Sequence, residues 1–147
     1  MQLSVVIPAF NEEKRLEDTL VQSVKYLKSN FDEFEIIVVD DGSTDSTVEI
    51  ANKYSKENVS VIKNGINKGK GFSVKNGILN SKYEYILFMD SDLATPIEES
   101  MKFIRVLEDG YDVAVASRNF KESIITVKQP GYRKVIGLIF SRIVMFL

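Results

Sequence analysis

Apolar residues along the chain form short runs that alternate with longer stretches of helical spacing. Five short runs predict buried strands, over Leu3–Ile7, Glu35–Val39, Val59–Ile62, Tyr85–Met89 and Val113–Ala116. Between them the spacing predicts helices over Glu12–Ser29, from Ser43-Thr44-Asp45 to about Tyr54, from Gly71 to about Asn80, and from Pro96 onward. Strands that alternate with helices predict an α/β fold with three layers, α/β/α, around a mostly parallel sheet.

The last part of the chain has a different pattern. The pattern of residues 1–131 predicts the α/β domain, and the pattern of Tyr132–Leu147 predicts an amphipathic helix that belongs to the same domain. Its apolar run Val135–Leu147 is interrupted by Arg142 and is shorter than the roughly 20 residues of a spanning helix. We therefore expect it to lie at a membrane interface. Because the chain stops inside this run without a helix cap, we also expect a C-terminally truncated domain.

Charge is distributed unevenly. The net charge is −2, yet the segment from Arg118 to Leu147 has six basic residues against one acidic residue. A basic segment that is also apolar favours an anionic membrane surface or a lipid phosphate over nucleic acid. The alternative is a core helix with solvated Lys and Arg. An exposed apolar helix is also compatible with a homodimer.

Two residue types are missing from the composition. The chain has no cysteine, which excludes disulfides and thiolate sites and fits a cytoplasmic, peripherally membrane-associated protein. It has no histidine either, which excludes a Ser-His-Asp triad and histidine metal sites. Any catalysis must therefore use carboxylates, cations, a metal or the backbone.

The segment Asp90-Ser91-Asp92 follows the fourth predicted strand. In extended backbone, residues two apart project to the same face, so both carboxylates should converge at the carboxyl end of the strand. Parallel sheets bind ligands at that edge. Paired carboxylates there suit Mg²⁺ or Mn²⁺, and the cation suits a diphosphate. The alternative is that both residues cap the helix beginning near Pro96.

Three other loops carry candidate ligand contacts. Asp40-Asp41-Gly42-Ser43 can accept hydrogen bonds from a ribose or a base, or can simply form a tight turn. In Pro8-Ala9-Phe10-Asn11-Glu12, Phe10 can pack on a base and Glu12 can bind its edge; the alternative is a hydrophobic staple with a helix-start charge. Asn67-Lys68-Gly69-Lys70-Gly71 can hold phosphate or be a flexible basic loop. Neither a dinucleotide fingerprint nor a Walker A motif is present.

Five segments follow one another along the chain in a recognisable order. They are Pro-Ala-Phe-Asn-Glu, Val-Val-Asp-Asp-Gly-Ser, Asn-Lys-Gly-Lys-Gly, Met-Asp-Ser-Asp-Leu and Ala-Ser-Arg. The chain resembles the family 2 inverting glycosyltransferases with the glycosyltransferase A fold. Within them it looks most like the polyprenyl- or dolichyl-phosphate glucosyl- and mannosyltransferases. The resemblance implies a nucleoside-diphosphate sugar donor, with UDP-glucose favoured and GDP-mannose second, and polyprenyl phosphate as acceptor.

The resemblance also implies roles for individual residues. Asp90 and Asp92 match the catalytic metal and diphosphate motif. The remaining positions match substrate-binding residues: Pro8, Phe10, Glu12, Val39 and Asp41 at the nucleotide, Ser91 at the sugar nucleotide, Arg118 at the donor, and Arg133 at the lipid phosphate.

Two other functions stay open at this point. One is a family 2 transferase that acts on a hydroxyl of a glycan or cell-surface polymer. The other is a truncated, non-catalytic module that binds nucleotide or lipid, which the end of the chain inside an apolar run would favour.

Overall fold

The computed structural model describes residues 1–116 and Arg142. Within the compact unit Met1–Ala114, four strands alternate with four helices. The strands are β1 (Gln2–Ala9), β2 (Glu33–Asp40), β3 (Val59–Lys63) and β4 (Tyr85–Phe88); the helices are α1 (Leu16–Asn30), α2 (Thr47–Lys53), α3 (Lys70–Leu79) and α4 (Ser100–Glu108), with 3₁₀ turns at Ser55–Glu57 and Ile97–Glu99. The alternation of strands and helices predicted from the sequence is confirmed.

The four strands form one parallel sheet in the order β3-β2-β1-β4. β1 and β2 end side by side, since Ala9 pairs with Asp40. β4 ends beside the middle of β1, where Phe88 pairs with Val6 and the Met89 N–H donates to the Val6 carbonyl at 3.1 Å. The loops that follow β1, β2 and β4 therefore start at the same edge of the sheet.

Hydrophobic residues pack on both faces of the sheet, which gives three layers. On one face, side chains from β1 and β2 pack with α1, α2 and α4 in a large buried cluster that includes Leu20, Ile50 and Ile104. On the other face, Val6, Ile37 and Val39 form a smaller cluster. α3 covers this second face. The predicted α/β/α architecture is confirmed, because alternate residues of each strand supply the two faces.

Two predictions about the secondary structure are wrong: the presence of a fifth strand and the start of the first helix. Residues 113–116 were expected to form a fifth strand, but they form no strand, and Val113 and Val115 are 73% and 80% exposed. β-branched residues favour a strand only when a partner strand accepts their backbone hydrogen bonds. The first helix begins at Leu16 rather than Glu12, and residues 13–15 form a turn before it. The backbone N–H groups of Asn11 and Glu12 bond instead to Ser43 in the loop after β2 and to Thr47, the first residue of α2.

The predicted boundary at residue 131 and the predicted helix Tyr132–Leu147 lie outside the described residues, Arg142 apart, and stay predictions. In the described part of the chain, no helix combines the length and apolar character that crossing a membrane requires.

Candidate functional site

Reciprocal hydrogen bonds join the loops that follow β1 and β2. The backbone N–H of Asn11 donates to Ser43 Oγ at 2.9 Å, and the N–H of Glu12 donates to Thr47 Oγ1 at 2.8 Å. In the other direction, the N–H of Thr44 donates to Asn11 Oδ1 at 2.9 Å. Asn11 adopts φ 54°, which asparagine tolerates better than most residues. The two loops therefore form one braced surface at the edge of the sheet.

The β1 loop presents an aromatic side chain and a carboxylate. Phe10 is 45% exposed, whereas Pro8 is half-buried. Glu12 Oε2 is buried and has no hydrogen-bond partner among the described residues; the nearest cation, Arg15 Nε, is 3.6 Å away. A buried carboxylate oxygen without a hydrogen bond is costly, so Glu12 Oε2 is suited to accept a hydrogen bond from a ligand.

Asp41 is buried and faces the loop before α3. Its carboxylate accepts hydrogen bonds from the backbone N–H of Lys68 at 2.9 Å, from the N–H of Gly69 at 2.8 Å and from Asn64 Nδ2 at 2.8 Å. Asn64 Nδ2 also donates to Ser73 Oγ at 2.9 Å, and Asn76 Nδ2 donates to Asn64 Oδ1 at 3.0 Å. In this structure the oxygens of Asp41 therefore organise the basic loop.

The same contacts set the protonation state of Asp41. Burial by itself raises the pKa of the Asp41 carboxyl, but hydrogen bonds from Lys68, Asn64, Gly69 and Ser73 together hold that pKa below its ordinary value. The carboxylate is therefore ionised at neutral pH and acts as a fixed acceptor.

The neighbouring residues of β2 are oriented inward. Val39 is fully buried in the smaller cluster, so its side chain is not available to a ligand. Asp40 is buried too, and its Oδ1 accepts a 3.1 Å hydrogen bond from the N–H of Ser43. Asp40 therefore closes the predicted tight turn, while the predicted contact of this segment with a ribose or base stays a prediction.

The Asp90-Ser91-Asp92 segment is a turn rather than extended backbone. The prediction that alternation in extended backbone brings both carboxylates to one face is therefore wrong, although both aspartates are exposed at the carboxyl end of β4. Asp92 Oδ1 accepts a 3.0 Å hydrogen bond from the N–H of Ala94 and so caps this turn. Ser91 is buried, and its carbonyl accepts a 2.7 Å hydrogen bond from Thr19 Oγ1 of α1.

Lys70, the first residue of α3, forms an ion pair with Asp90. The two side chains are 58% and 48% exposed. Lys68 has a different contact, since its Nζ lies 4.5 Å from the centre of the Phe72 ring. The basic loop and the acidic turn, which the sequence presents as separate motifs, therefore meet at one place.

Two basic side chains, Lys14 and Arg15, line a depression that Asp92 also borders. A shallow depression of about 250 Å³ separates α1 from the turn, and Lys14, Arg15, Asp92 and Leu93 are among the residues that line it. Asp92 therefore borders an open polar depression.

The donor set at Asp90 and Asp92 fits a hard divalent cation. Both carboxylates are accessible, and the ammonium group of Lys70 already provides a positive partner for Asp90. Within residues 1–116, no group of three or more acidic side chains forms a metal cage. Mg²⁺ and Mn²⁺ in phosphate sites commonly use one or two carboxylates together with substrate oxygens.

Two predicted site residues lie outside the described part of the chain, and three residues that support the site lie outside the predicted set. Arg118 and Arg133 are outside the described residues and stay predictions. The sequence motifs do not include Thr19, Asn64 or Ser73. A signal for Thr19 was available, since it is a polar residue on the apolar face that contains Leu16 and Leu20. Asn64 and Ser73 had no such signal, because their partners are distant in sequence.

The chain is similar to a known protein family over nearly all of its length. The family described as Glycosyl transferase family 2 matches residues 4–145. The dolichyl-phosphate beta-glucosyltransferase of Homo sapiens is 35% identical over 99% of this chain and 50% of its own length. The chain spans between 32% and 50% of the length of the curated relatives it matches.

Two solved structures in complex with UDP-sugars have the same fold. S. aureus TarS 1–349 in complex with UDP-GlcNAc has a TM-score of 0.60 at 29% identity, covering 83% of this chain and 39% of that chain. Glucosyl-3-phosphoglycerate synthase from Mycobacterium tuberculosis, in complex with Mn²⁺, UDP-glucose and phosphoglyceric acid, has a TM-score of 0.57 at 29% identity, covering 74% and 40%. The four-stranded parallel sheet is therefore that of a glycosyltransferase A fold.

Proposed function

Because the chain belongs to glycosyl transferase family 2, we propose that it binds a nucleoside-diphosphate sugar, preferably UDP-glucose, at the shared edge of β1, β2 and β4. We propose further that the whole protein transfers the hexose, with inversion, to a polyprenyl phosphate of the dolichyl type. The human relative named for that reaction supports the acceptor, and the synthase solved with UDP-glucose supports the donor.

The contact between Lys70 and Asp90 is the observation on which the proposal mainly rests. It supports the proposal because an ammonium group, which can bind an anion, lies beside a carboxylate, which can bind a cation, at the carboxyl end of β4. A diphosphate bridged to a divalent cation needs both within a few ångströms. The amino end of α3 adds its partial positive charge on the phosphate side.

Glu12 and Phe10 provide the contacts for the base. The buried Oε2 of Glu12, which has no hydrogen-bond partner among the described residues, can accept an N–H from the base edge. Phe10 is exposed enough for a base to stack on its ring. Asp41 supports this end of the site by holding the loop before α3, because its carboxylate is directed at Lys68 and Gly69.

Asp90 and Asp92 would hold Mg²⁺ or Mn²⁺, which when bound neutralises charge on the leaving nucleoside diphosphate. Lys70 acts in the same direction from the protein side. Arg118, outside the described residues, is proposed to contact the donor as well.

The acceptor requires no general base from the protein. The second pKa of a phosphate monoester is about 6, so a lipid phosphate is largely dianionic at neutral pH. One of its oxygens attacks the anomeric carbon, a C–O bond to the new phosphate forms, and the bond to the nucleoside diphosphate breaks. A chain without histidine is compatible with this chemistry. We propose that Tyr132–Leu147 lies at the cytoplasmic membrane surface, where Arg133 reaches the lipid phosphate.

Calorimetric titration tests the donor site. UDP-glucose and GDP-mannose are titrated into wild type, Asp92→Ala and Asp109→Ala, each with Mn²⁺ or with EDTA. We expect UDP-glucose to bind wild type more tightly with Mn²⁺ than with EDTA, and Asp92→Ala to lose that gain. Asp109→Ala should retain it, because Asp109 is an exposed aspartate at the carboxyl end of α4. Tighter binding of GDP-mannose would change the donor assignment, and binding of neither would contradict the proposed site.

A second assay tests the acceptor. The chain is incubated with UDP-glucose and either a polyprenyl phosphate in vesicles or a soluble sugar acceptor. Glucosyl lipid phosphate is the expected product. Transfer only to the sugar hydroxyl would favour a glycan-directed transferase, and donor binding without transfer to either would favour a non-catalytic module for this chain.

A further inference from the structure

Lys70 occupies a position that local energetics disfavour. It is the first residue of α3, where the helix dipole is positive and a cation is destabilising. The preceding Gly69 has φ 89° and supplies no capping side chain. A lysine at this helix start therefore points to a role outside the helix, and its partner Asp90 indicates which role.

The position of Lys70 is fixed through the backbone before it. Asp41 accepts hydrogen bonds from the N–H groups of Lys68 and Gly69, and Asn64 joins Asp41 to Ser73 inside α3. Asp41 and Ser73 are both buried, so water competes little for these hydrogen bonds. These hydrogen bonds hold the backbone before Lys70 in a position from which its side chain contacts Asp90.

The other lysine of the loop does not share this contact. Lys68 Nζ lies over the Phe72 ring, while Lys70 Nζ contacts Asp90 Oδ1. Substitution of Lys68 is therefore a matched control for substitution of Lys70, because the two lysines have the same charge and different partners.

We propose that Lys70 is a built-in counter-cation of Asp90 that competes with the divalent metal for this carboxylate and moves to the donor's diphosphate when the metal binds. A metal ion and an ammonium group repel each other at one carboxylate oxygen. Released from Asp90, the ammonium group remains next to the position of the donor phosphates. The second half of this inference rests on the proposed function, whereas the competition for Asp90 does not.

The two halves predict effects of opposite sign. Without nucleotide, Lys70→Met removes a competitor, so Mn²⁺ should bind about two- to fivefold more tightly, the range expected for one exposed ion pair. With Mn²⁺ present, the same substitution removes a cation from the diphosphate, so UDP should bind about threefold to tenfold more weakly. A purely structural role for Lys70 would move both affinities in the same direction.

The experiment measures Mn²⁺ alone first. Free Mn²⁺ is followed by electron paramagnetic resonance at constant ionic strength for wild type, Lys70→Met, Lys70→Arg and Lys68→Met. We expect tighter binding for Lys70→Met, while Lys70→Arg and Lys68→Met stay near wild type. Asp41→Asn, which removes one of the two oxygens that hold the loop, should shift Mn²⁺ affinity in the same direction as Lys70→Met.

Unchanged or weaker Mn²⁺ binding by Lys70→Met would overturn the competition, as would an equal gain in Lys68→Met. The competition would also be overturned if neither wild type nor any of the variants bound Mn²⁺. UDP is then titrated at saturating Mn²⁺, and an unchanged UDP affinity in Lys70→Met would overturn the transfer to diphosphate. Failure of UDP to bind wild type would instead count against the proposed function, while the Mn²⁺ result would stand by itself.

Discussion

The carboxylate of Asp41 accepts a 2.8 Å hydrogen bond from the backbone N–H of Gly69, a residue 28 positions further along the chain. Asp41 follows β2, and Gly69 immediately precedes α3. This contact lets the acidic end of a buried strand set the conformation of a basic loop. The arrangement of charge at the site therefore depends on one buried carboxylate.

The stability contributed by Asp41 should decline in acid. Its pKa is lowered on folding from an ordinary value of 3.8, so the unfolded chain binds its proton more readily. The contribution is present above pH 3.8 and is lost as pH falls through the lower folded pKa. Asp41→Asn should lower the free energy of unfolding by about 1–3 kcal/mol at neutral pH, because the amide keeps only one acceptor oxygen and at least one of the two backbone N–H donors, Lys68 or Gly69, loses its acceptor.

Urea unfolding at neutral pH and in acid measures this difference. The gap between wild type and Asp41→Asn should narrow on acidification. Asp109→Asn, which removes an exposed carboxylate, should change the unfolding free energy by less than about 0.5 kcal/mol at neutral pH. A gap that widens in acid would contradict the assignment.

Two glycines of α3 should respond oppositely to alanine. A Cβ at Gly77 would lie 2.3 Å from Val6 Cγ1 and 3.0 Å from Val39 Cγ2, whereas a Cβ at Gly71 would meet no atom within 4 Å. Gly77→Ala should destabilise the fold by about 1–3 kcal/mol through overpacking. Gly71→Ala should stabilise it by about 0.5–1 kcal/mol through helix propensity. Thermal and urea unfolding distinguish the two, and equal effects would show that α3 packs less closely on the sheet.

The close approach of the basic loop to Gly42 should matter for ligand binding. Gly42 has φ +82°, and a Cβ there would lie 2.9 Å from the Ile66 carbonyl carbon and 3.0 Å from the Asn67 nitrogen. Gly65 has a similar φ of +79° but open space around it. Both alanine variants should incur a backbone cost of about 1–2 kcal/mol.

Only Gly42→Ala should also displace the loop and weaken nucleotide binding, which calorimetry with UDP measures. Equal UDP affinities in Gly42→Ala and Gly65→Ala would mean that the loop does not contribute to the nucleotide site.

The turn that carries the two aspartates should depend on α1. Thr19→Val removes the 2.7 Å hydrogen bond to the Ser91 carbonyl while conserving shape, and should cost about 1–3 kcal/mol because the carbonyl is left buried without this donor. Ser23→Ala, on the same helix, is the control. Ser23 is buried, and its hydroxyl has no partner among the described residues, so its loss should be neutral or stabilising. Urea unfolding reports both effects, and a destabilised Ser23→Ala would reveal a partner for that hydroxyl.

Glu12 should affect nucleotide binding more than stability. Glu12→Ala removes the carboxylate oxygen that we assign to the base, and UDP affinity should fall by about ten- to a hundredfold, as expected for a hydrogen bond to a charged group. The free energy of unfolding should not fall, since Oε2 has no hydrogen-bond partner among the described residues. Glu17→Ala, at an exposed carboxylate of α1, should leave both quantities near wild type. A loss of stability without loss of UDP affinity in Glu12→Ala would assign Glu12 to the scaffold.

The sequence by itself determined the alternation of strands and helices, the two buried faces of the sheet and the positions of the polar loops. These features follow from hydrophobic periodicity, which is a local property, because successive strand residues face opposite sides and helical neighbours recur every three or four positions. The four strands and the helix over Leu20 and Val24 were predictable for that reason. The strand predicted over Val113–Ala116 does not form, since a strand needs a partner as well as β-branched residues.

Only the tertiary structure decided how the charged residues divide between scaffold and site. Asp40 and Asp41 are adjacent and chemically identical, yet Asp40 closes its own turn while Asp41 holds a loop that arrives 27 residues later. Lys68 and Lys70 are equivalent in the sequence, and folding directs one to Phe72 and the other to Asp90. These choices depend on hydrogen bonds and ion pairs between distant residues, and no local pattern encodes them because each requires the sheet to bring its partner into place.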